Sequence, residues 1–224
     1  KNKTPFSKHL TSLIKYADFG ISDVKSVPAN IPSDIWHQFK EQMKTQIGAD
    51  EGKLEEAFNI KNATQLQFTH TGEDSSSAGF GLDNESRGTV AALSFFSLAL
   101  RQLSMPTVTL IDEIDTSLHP TLVAELVALY TDPATNPHGS QLIFTTHDVS
   151  LINQSGSSNR LLQPDQIWLV EKDKDGASEL FPVTELGIRK EENIGKNYLN
   201  GVYGATPNPS FHTVFAQIMN GDDD

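Results

Sequence analysis

The segment TVTLIDEIDTSLHP, residues 107–120, constrains the fold more than any other part of the sequence. Its first half is a strand that is apolar nearly throughout, as is typical of strands in the middle of a parallel sheet. The strand ends in two adjacent carboxylates, Asp112 and Glu113. Open α/β sheets bind their ligands at this carboxyl edge. The segment therefore predicts an α/β fold, with a mainly parallel sheet flanked by helices and a polar site at the sheet edge.

The two carboxylates suggest a chemistry. Side chains alternate along a strand, so neighbouring acids cannot share one task. One can hold a metal ion while the other faces a reacting water, a division that suits hydrolysis of a nucleoside triphosphate. We expect Asp112 to hold Mg²⁺ through a water molecule and Glu113 to polarise the attacking water. The alternative is a strand that merely ends in a polar turn, and two residues alone do not decide between these interpretations.

A second apolar strand, QLIFTTH, ends at His147. A helix predicted near residues 121–130 separates it from the acid strand, and strand, helix, strand is the crossover unit of a parallel sheet. We therefore expect His147 at the same edge as the acids, where an imidazole could contact a γ-phosphate. A lone histidine at a strand end is more often an ordinary structural residue, but its spacing after the acid strand favours the functional interpretation.

The run NESRGT, residues 84–89, directly precedes a long apolar helix. Ser86 and Gly88 would place a hydroxyl and unobstructed backbone N–H groups at the helix N-terminus, where the helix dipole favours phosphate. The alternative is a simple capping sequence, with Ser86 or Asn84 as the N-cap. This run precedes the acid strand, which precedes the histidine strand. Because the three occur in this order, together they indicate a phosphate-binding site more strongly than any one of them alone.

Composition excludes several other classes of protein. The chain has 29 acidic and 17 basic residues and a net charge of −12, so we expect no direct grip on nucleic acid by this chain. It has no Cys, which excludes disulfides, thiolate metal sites and cysteine catalysis. No apolar run approaches the roughly 20 residues of a membrane span, and no signal peptide is recognisable. These features predict a cytoplasmic protein without membrane contact.

The runs ESRGT, TVTLIDEIDTSLHP and QLIFTTHDVSLI, in this order, resemble the C-terminal half of ABC-type ATPases. More narrowly, they resemble the AAA-type ATP-binding proteins of bacterial abortive-infection and restriction-associated operons, which are relatives of SMC-like and OLD-like ATPases. LIKYADFGISDV before these runs, and QIWLVEK and NGVYGATP after them, look like the same family. The resemblance covers most of the chain and matches residues 30–63 and the C-terminal residues least.

The resemblance implies a P-loop NTPase fold with ATP and Mg²⁺ as ligands. ESRGT corresponds to the signature motif, with Ser86 and Gly88 contacting the γ-phosphate of ATP held by the opposite subunit. A signature that acts in trans implies a homodimer closed around ATP. The sequence ESRGT departs from the usual signature sequence LSGGQ. The resemblance therefore assigns no role to Arg87.

The other motifs are carried over in the same way. TLIDE corresponds to Walker B, with Asp112 on the metal and Glu113 as a catalytic residue. IDTSLHP corresponds to the D-loop, which places Asp115 and Ser117 near the nucleotide and the dimer interface. His147 corresponds to the catalytic switch histidine.

The phosphate-binding loop G-x-x-x-x-G-K-[ST] does not occur in residues 1–224, because Gly195 and Lys196 lack the rest of the motif. The resemblance places this loop upstream, on a strand inserted between the Walker B strand and the histidine strand. Residues 1–83 are then the helices and strands of the lobe around the signature motif, and residues 84–224 the C-terminal half of the ATPase core. We expect the chain to be inactive without the missing N-terminal half.

Three functions remain open from the sequence. The leading hypothesis is an ATP-binding and hydrolysing subunit that regulates an effector protein in defence against phage. A metal-dependent nuclease is the second, although the acids follow an Asp-x-x-Asp spacing where such sites use Asp-x-Asp. A scaffold that binds ATP or a partner without hydrolysis is the third. The nuclease would use as ligands Asp112, Glu113, Asp115, His147 and Asp148.

Overall fold

The computed structural model describes residues 5–29, 32–47, 63–71, 77–153, 160–189, 191–207 and 209–220. Contacts divide the chain into two compact units. The first comprises Lys1–Gln102 together with Thr116–Leu118, and the second comprises Leu103–Asp115 together with His119–Asp224. Residues 114–120, which resemble a D-loop and are here called the D-loop segment, are thus divided between the units.

The described residues of the first unit form a three-stranded antiparallel sheet and three α-helices. In chain order its elements are α1 (Pro5–Tyr16), β1 (Ile21–Pro28), α2 (Ser33–Ile47), β2 (Thr64–Thr71), β3 (Ser77–Gly81) and α3 (Arg87–Gln102). The sheet has the order β1-β2-β3, and α1 packs against both β1 and α3.

Buried aromatic and aliphatic side chains hold this unit together. Phe68 on β2 is fully buried, and its strand neighbours are Val24 on β1 and Phe80 on β3. Ile14 of α1 is also fully buried. The long apolar helix α3 buries six side chains, namely Thr89, Ala92, Leu93, Phe95, Phe96 and Ala99. The first turn of α3 is therefore anchored by the rest of a well-buried helix.

In the second unit, the residues that the structure describes form a parallel strand pair, a hairpin and three α-helices. Its elements are β4 (Val108–Ile111), α4 (Pro120–Thr131), β5 (Gln141–Phe144), β6 (Trp168–Lys172), β7 (Ser178–Pro182), α5 (Ile194–Leu199) and α6 (Phe211–Asn220). β4 and β5 are parallel, with register pairs from Val108↔Gln141 to Ile111↔Phe144. α4 contacts β5 and supplies four buried side chains, Val123, Leu126, Val127 and Tyr130.

The pairing of β4 with β5 corrects one prediction. The resemblance to ABC-type ATPases implies a further strand between the acid strand and the histidine strand, but these two strands are hydrogen-bonded neighbours. The argument that a central strand has been removed from between them is therefore wrong. The order of strands is set by tertiary pairing, which the apolar patterns of the individual strands do not encode.

The two strands are also less buried than their apolar sequences predicted. Val108 is 56% exposed, Leu110 74% and Ile143 56%, whereas Thr109 is only 5% exposed. Side chains alternate across a strand, so one face of the pair is covered and the other is open. The prediction of strands buried on both faces is thus correct for one face only within the described residues.

A polar clamp at the start of β5 fixes the register of the strand pair. The Asn136 side-chain amide donates to the carbonyls of Tyr130 and Ser140, both within 2.9 Å, and its oxygen accepts from the Ser140 N–H. The Ser140 hydroxyl donates to the Met105 carbonyl over 2.7 Å and accepts from the Thr107 N–H. Ser140 is only 5% exposed, so these bonds satisfy a buried hydroxyl and join the beginnings of both strands.

The hairpin β6–β7 and α5 form a separate apolar cluster of the second unit. Its buried members are Ile167, Leu169, Val183, Ile194 and Tyr203. The sequence DKDGAS between two runs of strand character predicts a hairpin with an Asp-Gly turn. This turn is present, with Gly176 at a φ of +85°, a left-handed conformation that glycine adopts without strain. The predicted hairpin is therefore confirmed.

We predict that Phe68→Ala destabilises the protein by about 3–5 kcal/mol, because it leaves a cavity in the first unit. Urea unfolding followed by circular dichroism measures the change. Phe215→Ala is the matched control, since Phe215 on α6 is 64% exposed, and it should leave the midpoint of unfolding almost unchanged. Equal effects of the two substitutions would contradict the assignment of Phe68 to a core.

Candidate functional site

Asp112 and Glu113, the two acids of the run that resembles Walker B, follow β4 directly and meet Thr145, which follows β5. The Thr145 hydroxyl donates to Asp112 Oδ1 over 2.5 Å and accepts from the backbone N–H of Glu113 over 2.8 Å. The backbone of Thr145 takes part as well, since its N–H donates to Ile111 and its carbonyl accepts from Ile114. One residue at the end of β5 therefore contacts the whole acidic turn at the end of β4.

Glu113 adopts an unusual backbone conformation. Its φ is +49°, in the left-handed region that costs a residue with a side chain roughly 1–2 kcal/mol. The bonds from Thr145 to the N–H groups of Glu113 and Ile114, the latter 3.0 Å long, offset this cost. Backbone strain of this kind is found at functional sites, where the surroundings enforce it.

Asp115 is bound by the segment that carries His147. The Thr146 hydroxyl donates to Asp115 Oδ1 over 2.6 Å, and the His147 N–H approaches the same oxygen at 3.4 Å. Thr146 also accepts from the Asp148 N–H at 3.0 Å. Asp115, which follows β4, and the segment around His147, which follows β5, are thus in contact in the second unit.

These contacts set the ionisation of Asp115. Partial burial acts to raise the pKa of its carboxyl group. Hydrogen bonds from the Thr146 hydroxyl and from backbone N–H groups, with the nearby His147 imidazole, outweigh burial and hold the pKa below its ordinary value of 3.8. Asp115 is therefore a carboxylate at neutral pH.

The run that resembles a signature motif lies in the first unit, at the start of α3. Ser86 precedes the helix and caps it, because its hydroxyl accepts from the Thr89 N–H at 3.0 Å and shares a bond of 2.9 Å with the Thr89 hydroxyl. Gly88 lies in the first turn, and a Cβ at this position would be 2.7 Å from the Ser117 carbonyl oxygen. Ser117 itself has a φ of +65°. Only glycine allows the D-loop backbone to come this close to the helix.

A buried carboxylate directly precedes the signature serine. Glu85 has a side chain that is 4% exposed and lies 2.8 Å from His70 Nε2. His70 also packs edge-on against the ring of Phe80. A cleft of about 320 Å³ opens beside these groups and beside Ser86, lined further by Phe19, Asn84 and Thr89.

The predicted site residues thus fall into two groups. Asp112, Glu113, Asp115 and His147 belong to the second unit, while Ser86, Gly88 and Ser117 belong to the first. Within each group the structure brings sequence-distant residues into contact, as it does for Gly88 and Ser117. The capping interpretation of Ser86 is confirmed, and its contact with a phosphate stays a prediction.

The donors at the acidic edge fit a nucleotide-borne Mg²⁺ ion. Such an ion is usually held by one or two carboxylates together with substrate phosphates, and it keeps several waters. Asp112 supplies an exposed carboxylate with one oxygen fixed by Thr145. Within the described part of the chain no three His, Cys, Asp or Glu side chains group closely enough to hold a metal. The ligand set of the nuclease alternative is therefore not assembled there.

The sequence interpretation missed Thr145 and Thr146. Each contacts an acid of the neighbouring strand and its turn. Threonine is common in strands because its branched side chain suits a pleated surface, so neither residue attracted attention. The usable signal was two hydroxyl residues at the end of a strand, directly before the histidine.

The comparisons with known proteins agree with this picture at the level of the family. Residues 2–153 match the profile of a family described as "AAA domain, putative AbiEii toxin, Type IV TA system". The match spans more than half of the chain, and the chain belongs to this family of AAA domains. The predicted relationship to AAA-type ATP-binding proteins is thus confirmed. No curated protein matches the sequence.

A similar solved structure is the Smc head domain with a coiled coil and joint derived from Pyrococcus yayanosii. Its TM-score is 0.43 at 16% sequence identity, and the similarity covers 79% of this chain and 26% of that chain. The chain thus spans well under two thirds of the length of that protein. In the described residues, no helix has the length and hydropathy needed to cross a membrane.

We predict that Gly88→Ala destabilises the protein by about 1–3 kcal/mol, because the new methyl group would collide with the Ser117 carbonyl. Helix propensity alone predicts the opposite sign, since alanine favours a helix over glycine by about 1 kcal/mol. Thermal unfolding distinguishes the two. Gly81→Ala is the control, because its nearest neighbour would be 4.0 Å away. A stabilised Gly88→Ala protein would contradict the close contact with Ser117.

The lowered pKa of Asp115 gives a second prediction. The group stabilises the folded state above its ordinary pKa of 3.8, and this contribution is lost as pH falls through the lower folded-state pKa. Thr146→Val removes one of the bonds that lower the pKa, so the Asp115 pKa should rise when followed by carboxyl-carbon NMR. Thr121→Val, at an exposed threonine of α4, should leave it unchanged. An unchanged pKa in Thr146→Val would refute the role of this bond.

Proposed function

We propose that the chain is the C-terminal half of an ABC-type ATPase that binds and hydrolyses Mg-ATP. The observation that carries the proposal is the contact of Asp112 and the Glu113 backbone with Thr145, at the edge to which His147 is also delivered. Membership in a family of AAA domains supports ATP as the ligand. An acid pair at the carboxyl edge of parallel strands is suited to nucleotide chemistry.

Each residue has a defined task in this proposal. Asp112 holds Mg²⁺, which when bound neutralises charge on the phosphates. Glu113 accepts a proton from the attacking water. Its backbone conformation sets the direction in which its side chain leaves the main chain. His147 contacts the γ-phosphate and is linked to Asp115 through the D-loop contacts.

The signature residues act on ATP bound to an opposite subunit. The N-terminus of α3 presents backbone N–H groups at Gly88 and a partial positive charge, which favour phosphate. When the Thr89 hydroxyl donates to Ser86, the Ser86 proton is available to a phosphate oxygen. Asp115 and Ser117 would lie at the interface of the resulting homodimer, which is closed around two nucleotides.

We propose that a further polypeptide segment covers the open face of the β4–β5 pair and carries the phosphate-binding loop. Support comes from the open face of the strand pair, where Val108, Leu110 and Ile143 are all more than half exposed. Apolar side chains on neighbouring strands are stabilised when another layer covers them. The chain without this segment is expected to be inactive, because no group of its own would hold the β-phosphate.

The biological role we propose is control of an effector protein by nucleotide state, within a bacterial defence system. The support is the resemblance of ESRGT, TLIDE and TTHD to abortive-infection ATPases and the description of the matched family, which names a toxin and a toxin–antitoxin system. ATP-dependent dimer closure would change the surface that the effector meets.

We predict that Glu113→Gln, made in the complete gene product, lowers ATP turnover by about 10²–10⁴-fold, the usual contribution of a general base. The affinity for Mg-ATP should stay nearly unchanged, because the amide has the same shape. Steady-state kinetics and isothermal titration measure the two quantities. Light scattering should show that the variant remains dimeric in ATP.

Glu125→Gln is the matched control, because it makes the same change of charge at an exposed position of α4. It should hydrolyse ATP at the normal rate. Wild-type protein without ATP turnover would refute the proposed activity. Loss of ATP binding in Glu113→Gln would refute the assignment of Glu113 as a base.

A further inference from the structure

The hydroxyl of Thr145 makes one hydrogen bond with each of the two acidic residues, Asp112 and Glu113. A threonine hydroxyl has one proton to donate and lone pairs to accept. The proton goes to Asp112 Oδ1 over 2.5 Å, and a lone pair accepts the Glu113 N–H over 2.8 Å. These two bonds fix the rotation of the hydroxyl, so a single oxygen determines how both acids are held.

Glu113 requires such support because of its backbone. At a φ of +49°, the residue would relax towards ordinary conformations if its N–H lost its partner. The Glu113 carboxylate would then move away from the position set by this backbone conformation. Asp112 is tied to the same oxygen, so a change at one acid alters the support of the other.

We propose that Thr145 is a positioning residue for the ATPase site, and that its hydroxyl sets the geometry of the metal-holding Asp112 and the water-activating Glu113. The inference rests on the proposed function and adds a residue that none of the recognised motifs assigns. Thr145 acts through the two acids and does not itself touch the nucleotide.

A purely structural role makes a different prediction. Thr145 is exposed at the end of β5, so replacement by valine leaves no cavity, and valine keeps the branched shape that suits an extended backbone. The bonds made by the backbone of Thr145 to Ile111 and Ile114 also survive the substitution. Thr145→Val therefore removes only the hydroxyl and its two hydrogen bonds.

The first test measures amide hydrogen exchange by NMR. In Thr145→Val the Glu113 amide should exchange about three- to tenfold faster, the loss expected for one hydrogen bond. The Ile114 amide is an internal control, because it is bonded to the Thr145 carbonyl and should exchange as before. Thr145→Ser, which keeps the hydroxyl, should restore slow exchange at Glu113.

The second test measures ATP turnover in the complete gene product. Thr145→Val should lower kcat by about tenfold or more, with a small change in KM for ATP and a raised Mg²⁺ requirement. Thr145→Ser should recover most of the activity. Thr131→Val is the matched control, since the exposed Thr131 hydroxyl donates only to the Ala128 carbonyl of its own helix, and it should behave like wild type.

The outcomes separate the two proposals. Wild-type protein that turns over no ATP refutes the proposed function, while the exchange of Glu113 still decides whether Thr145 holds the acidic turn. Active wild-type protein with unchanged kcat or unchanged Glu113 exchange in Thr145→Val refutes the positioning role. Equal acceleration of exchange at Glu113 and Ile114 also refutes it, because that result would mean a general loss of structure.

Discussion

Parallel hydrogen bonding between β4 and β5 determines where the acids of the candidate site can lie. The four register pairs end at Ile111↔Phe144, so the two chains leave the sheet side by side and in the same direction. The residues that follow one strand then reach those that follow the other, as Thr145 reaches Asp112. An antiparallel pairing would have sent the acids and the histidine to opposite ends of the sheet. The hydrogen bonds of Asn136 and Ser140 stabilise the same register at the other end of the strands.

Glycine 88 imposes a comparable constraint in the first unit. The D-loop carbonyl of Ser117 occupies the space that a side chain at position 88 would need. The chain passes from Asp115, which belongs to the second unit, to Thr116–Leu118, which belongs to the first. The beginning of this segment, at Asp115, contacts Thr146. Its later part, at Ser117, contacts the first turn of α3 at Gly88. Its left-handed residues, Glu113 and Ser117, are the points where its direction changes.

The sequence predicted the elements of the fold better than their arrangement. Apolar periodicity located α3, β4 and β5, because burial imposes a period on each element separately. Strand order did not follow from these patterns, and the strand expected between β4 and β5 is not there. The acids and His147 were found because carboxylates and imidazole after apolar strands are rare and chemically informative. Thr145 was not found, because its role depends on a partner more than thirty residues away in the sequence. A threonine near a strand is also common, since its branched side chain suits a pleated surface.

The open face of the β4–β5 pair has a consequence for how the protein is made in the cell. Two short strands that have exposed apolar side chains and pair only with each other among the described residues can recruit strands from other unfolded chains. Leu110, at 74% exposure, is the most exposed apolar residue of this face. In newly synthesised chains, aggregation through this face therefore competes kinetically with correct assembly. A host that makes this protein gains from covering the face early, through tightly coupled synthesis or chaperone binding.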